Sequence, residues 1–282
     1  MGERRWGLAL GGGGLYGFAH LGVLQVLKEA GLQPAYVSGT SAGSIVASLY
    51  ACGFMPAAIE RLVSTTLGQL LFQNHGPDFS SLAIKGFIPG GLIEKALDTL
   101  ASGKLVKDAY IPLFVEAVDI NSGRLVVFAG SPLPVDTGYR ERVLWLTDAK
   151  ISTAVRASIA IPGVFWPKEL DGMQLVDGAI LDMVPVRSLW LAEVSPIVAV
   201  DIGSYVEKPA EPNSLYSILT RAFGIQAREL TLKSLAECAN LVIRPALEDL
   251  EVWSLSGLSK CIERGKEATR EKLDELTELL SW

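Results

Sequence analysis

The segment Gly39-Thr40-Ser41-Ala42-Gly43 constrains this chain more than any other, because few backbone paths carry a serine between two such glycines. A Gly-x-Ser-x-Gly run reads as a sharp turn from a strand into a helix, with the serine strained so that its Oγ projects. Side chains two residues to either side would collide in so tight a turn, which accounts for Gly39 and Gly43. The flanks agree: residues 36–38 read as a short strand, and 42–52 as an apolar, buried helix. That helix would direct its first N–H groups at the serine, where they stabilise negative charge. Ser41 is therefore a candidate nucleophile, set against the plainer reading of a small-residue turn between buried elements.

Around that turn, short apolar runs alternate with helical patterns, as in βα units. Residues 6–10 read as a first strand, and glycines 11–14 as a loop. The apolar spacing from Phe18 to Leu27 gives a helix stopped by Gly31. Strands are predicted at 113–118 and 125–128, paired around the turn Asn121-Ser122-Gly123, and near 174–176, 197–202 and 241–243. Helices are predicted at 56–67, 149–157, 214–236 and 257–280. Residues 70–91, with Phe72, Phe79 and Phe87 among glycines and prolines, read equally as a lid over a pocket or as packed core. The last helix sets Leu273, Leu276 and Leu280 on one face against mixed charge. That pattern favours packing on the body, or a homodimer face, over a membrane-surface helix with a basic face.

With 282 residues, 49% of them hydrophobic, the chain can bury one large core and reads as a single domain over 1–282. A net charge of −6 argues against nucleic acid, which needs clustered cations. It also gives no pull toward anionic lipid, so membrane contact would have to rest on apolar surface or a local basic patch. Cys52, Cys238 and Cys261 are odd in number and widely spaced, indicating neither disulfides nor a metal site and favouring a reducing compartment. No signal-peptide pattern opens the sequence, and no stretch of about 18 uncharged apolar residues occurs. The expectation is a cytoplasmic protein, at most peripheral to a membrane.

A Ser-His-Asp arrangement needs an imidazole to take the serine proton. The α/β-hydrolase order places that histidine last, and here His20 and His75 are the only two. His20 reads as a packing residue near the glycine loop and His75 as a solvated one, so a base for Ser41 would be a carboxylate. Asp177, ending a predicted strand and followed by Gly178, is the candidate; the alternative is an ordinary Asp-Gly turn. The loop Leu10-Gly11-Gly12-Gly13-Gly14-Leu15-Tyr16-Gly17 has three readings. A dinucleotide site lacks its acidic residue about 20 positions on, and a P-loop lacks its lysine. An oxyanion hole built from bare glycine N–H groups is preferred.

Taken together, the glycine loop, the Ser41 elbow and the Asp177-Gly178-Ala179 motif resemble the patatin-like phospholipase family. Residues 157–167, Ala-Ser-Ile-Ala-Ile-Pro-Gly-Val-Phe-Trp-Pro, and the tail 179–186 are similar to further blocks of that family. The resemblance covers about 5–205, leaving 206–282 as a helical part. It implies a three-layer α/β/α sandwich with a mostly parallel sheet, acting on phospholipids, lysophospholipids or other acyl esters without cofactor or metal. It also implies Ser41 as nucleophile, Asp177 as base and Gly12, Gly13 and Gly14 as oxyanion hole, with Gly17, Gly39, Gly43 and Gly178 in support. The family commonly has Arg or Lys where Tyr16 stands, and Asn where Asp182 stands. A carboxylesterase or thioesterase, and a non-catalytic lipid-binding regulator on the same fold, are the alternative uses.

Overall fold

Strands buried along their whole length, as β-runs such as Gly7–Leu10 and Ile197–Val200 are, need cover on both faces, and this chain provides it. The computed structural model describes residues 5–63, 88–130, 142–203, 214–250 and 257–281. Its strands are β1 (Gly7–Leu10), β2 (Tyr36–Thr40), β3 (Leu113–Asp119), β4 (Arg124–Ala129), β5 (Val143–Leu146), β6 (Lys168–Leu170), β7 (Met173–Asp177), β8 (Ile197–Val200) and β9 (Leu241–Ile243). They form one sheet in the order β5-β4-β3-β2-β1-β8-β9, with β7 joined to β3 and β6 to β7. The pairings β1–β2, β1–β8, β2–β3, β4–β5 and β8–β9 are parallel, while β3–β4, β3–β7 and β6–β7 are antiparallel.

The helices are α1 (Ala19–Glu29), α2 (Ala42–Ala51), α3 (Pro56–Leu62), α4 (Gly91–Leu100), α5 (Ile151–Ser158), α6 (Val186–Leu191), α7 (Leu215–Cys238), α8 (Leu258–Glu271) and α9 (Leu273–Leu280). Successive strand residues point to opposite faces, so each strand feeds two cores. Leu8, Leu10, Val115, Ala117, Val126 and Phe128 pack with α1 to α5, α8 and α9. Ala9, Phe114, Val118, Leu125 and Val127 pack on the other side, with α6 and with Leu235 of α7. The result is the expected α/β/α sandwich. Among the described residues, no helix is long and apolar enough to cross a membrane.

Most predicted elements stand within two residues of their expected ends; four others carried too little pattern. Helix α4 starts in Gly90-Gly91, which reads as loop, because Gly90 at φ 73 caps it in the left-handed region. Strands β5 and β6 have only four and three residues, and α6 has six, too short for a period to emerge. The single helix expected over 257–280 breaks at Lys272 into α8 and α9, and Leu276 is wholly buried, so the last helix packs on the body. Residues 64–87, which hold His75, Phe72, Phe79, Phe87 and most of the suggested lid, lie outside the described residues.

Helix α8 lies against α1 backbone to backbone. A Cβ on Gly22 would overlap the carbonyl oxygen of Ile262, and one on Gly265 would overlap that of Ala19. Overpacking at such a contact costs about 1–3 kcal/mol. Gly22→Ala should lower the unfolding free energy by that amount, read as a lower denaturation midpoint with an unchanged m-value, whereas the loss for Gly31→Ala, a position with open space around it, should be limited to its backbone strain.

Candidate active site

Strand β2 ends at Thr40 and α2 begins at Ala42, leaving Ser41 as the single residue of the turn, at φ 52 and ψ −125. A non-glycine residue there is strained, and the surroundings hold it. Ser41 N–H donates to Ser158 Oγ at 2.9 Å, and the Ser44 hydroxyl donates to the Ser41 carbonyl at 2.6 Å. Both flanking glycines are required by space. A Cβ on Gly43 would overlap the Leu10 and Gly11 carbonyl oxygens, and one on Gly39 would meet the Ser44 backbone.

Asp177 reaches this turn through strand register. On one edge of β3, Thr40 of β2 lies opposite Glu116, and Asp177 of β7 lies opposite the next residue, Ala117. The two strands thus approach end to end along β3, and Ser41 and Asp177 are the residues at their tips. Asp177 N–H donates to the Ala160 carbonyl at 3.0 Å, and Ala179 N–H donates to Asp177 Oδ1 at 2.9 Å. A Cβ on Gly178 would press on the Glu116 carbonyl, so the turn after Asp177 needs its glycine. The following stretch laces the site together: Ser38 Oγ donates to the Pro185 carbonyl at 2.7 Å, and Thr40 Oγ1 to that of Asp182 at 3.1 Å.

The glycine loop bends between β1 and the short helical turn Gly14–Phe18, on the strand next to β2. Gly12 N–H donates to the Met183 carbonyl at 2.8 Å, so that amide is engaged within the chain. Among the described residues, the N–H groups of Gly13 and Gly14 make no hydrogen bond to a backbone carbonyl outside regular elements. Gly12 is needed for closeness, since a Cβ there would stand 3.1 Å from Ser41 Cβ. Gly17 packs on α2, where an added Cβ would lie 2.8 Å from Ala42 Cβ. His20 is buried under the loop, its Nε2 2.8 Å from the Gly11 carbonyl, and burial lowers its pKa to about 4. It is a neutral support for the loop.

Asp177 is buried, and loss of water pushes its pKa up to about 7, against the opposing pull of the Ser41 hydroxyl and Ala179 N–H. Its Oδ2 is buried without a well-formed hydrogen bond, with the Ser41 hydroxyl the side-chain group that acts on the carboxyl. Behind it lies a second pair of acids. Glu116 and Asp182 are fully buried, and burial with their mutual repulsion holds Glu116 well above the usual carboxylate range. Burial likewise raises Asp182, partly offset by Arg187. Sequence reasoning missed Glu116 and Ser158. The signals were a lone glutamate inside the apolar run Leu-Phe-Val-Glu-Ala-Val and a serine inside the 157–167 block.

A cavity of about 120 Å³ opens at Ser41 and Gly14, lined by apolar side chains that include Phe18, Leu21, Ile45, Val46, Val164 and Phe165. Four of its residues, Ile159, Ile161, Val164 and Phe165, come from the 157–167 block. Tyr16 is buried, and its hydroxyl donates to the Leu250 carbonyl at 2.8 Å, so it ties the loop to the chain beyond β9.

The model of the family described as patatin-like phospholipase matches residues 8–190, which contain every residue of this constellation except Leu250. The chain belongs to the patatin-like phospholipase family. An uncharacterized NTE family protein of Mycobacterium tuberculosis is 31% identical over 223 residues, covering 77% of this chain and 55% of that one. Lysophospholipase NTE1 of Candida albicans is 27% identical over 204 residues, covering 70% of this chain and 13% of that one. This chain thus spans about half the length of the mycobacterial relatives, or less. Among solved structures, VipD from Legionella pneumophila has the same fold, with a TM-score of 0.56 at 17% identity over 97% of this chain and 67% of that one.

The buried acids give stability a pH dependence. Unfolded Asp182 loses its proton near the ordinary carboxylate value of about 4, while folded Asp182 keeps it to higher pH. Stability is therefore lost as pH rises through that window. Asp182→Asn should shrink the loss of melting stability between pH about 5 and about 8 by more than about 1 kcal/mol. An equal pH dependence in the variant would contradict a raised Asp182.

Proposed function

We propose that this chain is a serine acyl hydrolase that cleaves carboxylic esters of lipids, with Ser41 as nucleophile and Asp177 as its base. The observation that carries the reading is the meeting of β2 and β7 along β3, which sets a strained serine beside a buried carboxyl. Asp177 takes the Ser41 hydroxyl proton while Oγ attacks the ester carbonyl carbon. The oxyanion is received by the N–H groups of Gly13 and Gly14, whose glycine identity leaves them open. On collapse the carbon–oxygen bond to the leaving alcohol breaks, and that alcohol takes the proton from Asp177. Water then attacks the acyl-serine with Asp177 again as base, freeing the carboxylic acid and restoring Ser41.

The apolar cavity at Ser41 suits a hydrocarbon acyl chain and gives no grip to a polar one. Family membership and a relative named lysophospholipase support a phospholipid or lysophospholipid ester. Tyr16 bears on the rival carboxylesterase reading. The loop position where the family commonly holds a cation is here a buried phenol bonded to Leu250, and it contributes no charge to a headgroup. Recognition therefore rests on the acyl chain, and a peripheral membrane contact would supply the substrate.

Asp177 works as a base only when ionised. With its pKa near 7, kcat/KM should rise with pH through about 7 and level off above it. Asp177→Asn should lower kcat by about 10²–10⁴ with KM little changed, and Ser41→Ala should abolish turnover. Parallel assays on lysophospholipid, acyl-CoA and short p-nitrophenyl esters separate the substrate classes. Full activity of the Ser41→Ala protein would end the proposal.

A further inference from the structure

The apolar cavity at Ser41 is bounded on most sides by the core. Phe18 and Leu21 come from α1 and the turn before it, and Ile45 and Val46 from α2, all of them buried. One wall differs. Ile88 and Phe165 pair as a short parallel bridge, with Ile88 N–H donating to the Val164 carbonyl at 2.9 Å and Trp166 N–H to the Ile88 carbonyl at 3.0 Å. In extended segments successive side chains point to opposite sides. Ile88 and Phe165 line the apolar cavity, while their neighbours Pro89 and Trp166 line a second cavity of about 310 Å³. The wall between the two cavities is thus one pair of extended segments thick.

Arg156 fixes this wall. It lies in α5 and is 2% exposed, and its Nη2 donates to the Pro89 carbonyl at 2.8 Å and to the Trp166 carbonyl at 2.7 Å. One guanidinium thus ties both segments of the bridge. Its Cζ stands 5.6 Å from the centre of the Phe165 ring, a cation–π contact to the ring that lines the acyl cavity. Gly90, at φ 73, passes so close that a Cβ there would overlap Arg156 Nε. Arg156 Nη1 is buried without a hydrogen-bond partner. An unpaired buried donor is destabilising, so stability alone does not account for the arrangement. The second cavity is charged: Lys168 Nζ meets Glu94 Oε1 at 2.7 Å and Oε2 at 2.8 Å on its lining. A hydrocarbon chain that passed Phe165 would enter polar surroundings beside a buried cation.

We infer that Phe165, held by Arg156, is the stop that sets the length of acyl chain this site accepts. Phe165 is the specificity-determining residue and Arg156 the residue that positions it. That the cavity holds an acyl chain rests on the acyl hydrolase reading. The walls made by α1 and α2 cannot recede without unpacking those helices, whereas the Phe165 wall backs onto the second cavity. A longer chain is therefore turned back at one ring, whose place is fixed by the two carbonyl bonds of Arg156. A planar guanidinium serves both carbonyls and the ring at once, and a lysine ammonium in its place loses the stacking.

The test has two arms, both on the full chain. In the first, Ser41→Ala protein holding a fluorescent fatty acid is titrated with saturated fatty acids of increasing length, which reads the cavity without hydrolysis. Affinity should rise with length and stop rising where the chain meets the wall. Adding Phe165→Ala or Arg156→Lys should move that limit to longer chains, with affinity for the acid just past the parent's limit at least about tenfold higher. In the second arm, kcat/KM of the same variants with Ser41 intact, on p-nitrophenyl esters of the same lengths, should shift in the same direction by at least about tenfold. Leu125→Ala, a truncation in the opposite core, should lower the melting temperature and leave both length profiles unchanged. If Phe165→Ala melts early, Phe165→Leu carries the same expectation. Length profiles in the Phe165 and Arg156 variants equal to the parent's overturn the inference. So does a parent profile with no limit, or a Ser41→Ala protein that binds no fatty acid. A limit that moves in the binding arm while the wild type cleaves no ester overturns the hydrolase reading alone.

Discussion

Strand β3 holds two partners on one edge, and the site depends on that shared edge. Its other edge is filled by β4 along Phe114–Asp119, so β2 and β7 have only one side on which to pair. β2 occupies it as far as Glu116 and β7 takes over at Ala117. The strands run in opposite directions and meet tip to tip, which sets Ser41 and Asp177 together although 136 positions separate them (177 − 41). A one-residue slip of either strand would turn its side chains to the other face and separate the pair. The core residues that fix these registers, Val37, Val115, Ala117 and Leu175, thus position the chemistry as surely as the residues within it.

Close approach at the meeting point has an electrostatic consequence. Glycines at 12, 39, 43 and 178 let backbone segments touch where any side chain would intrude, and water is excluded with the space. A carboxyl sealed in this way keeps its proton to higher pH, and burial moves Asp177 up to about 7, the range in which the proposed base would act. Glu116, next to Ala117 along β3 and so on the opposite face of the sheet, is buried with Asp182, whose charge raises Glu116 further. Buried acids are costly, and Arg187 offsets Asp182 only in part, so acids buried on both faces around the end of β3 mark a candidate functional site.

Much of this was legible in the sequence, and the limits follow from physics. Gly-x-Ser-x-Gly identified the strained turn because only a few backbone paths require both glycines. The fold class followed from apolar runs alternating with helical periods. Asp177 was weaker, since an Asp-Gly pair also makes an ordinary turn, and only its company singled it out. The commitment of Gly12 N–H to Met183 was invisible, because nothing in four consecutive glycines says which amide a distant carbonyl will claim. Ser158 and Glu116 acquire meaning only through pairings distant in sequence. The role of Arg156 was equally hidden, because a single arginine near a helix end reads as solvated until its neighbours are known.

The claim that the β3 register builds a working pair is tested most directly by a fluorophosphonate, which reacts only with an activated serine. Mass spectrometry of the wild-type protein should place one adduct on the peptide carrying Ser41. In Asp177→Asn the rate of labelling should fall by about 10² or more. An adduct on another residue, or labelling of Asp177→Asn at the wild-type rate, would show that the pair does not act together.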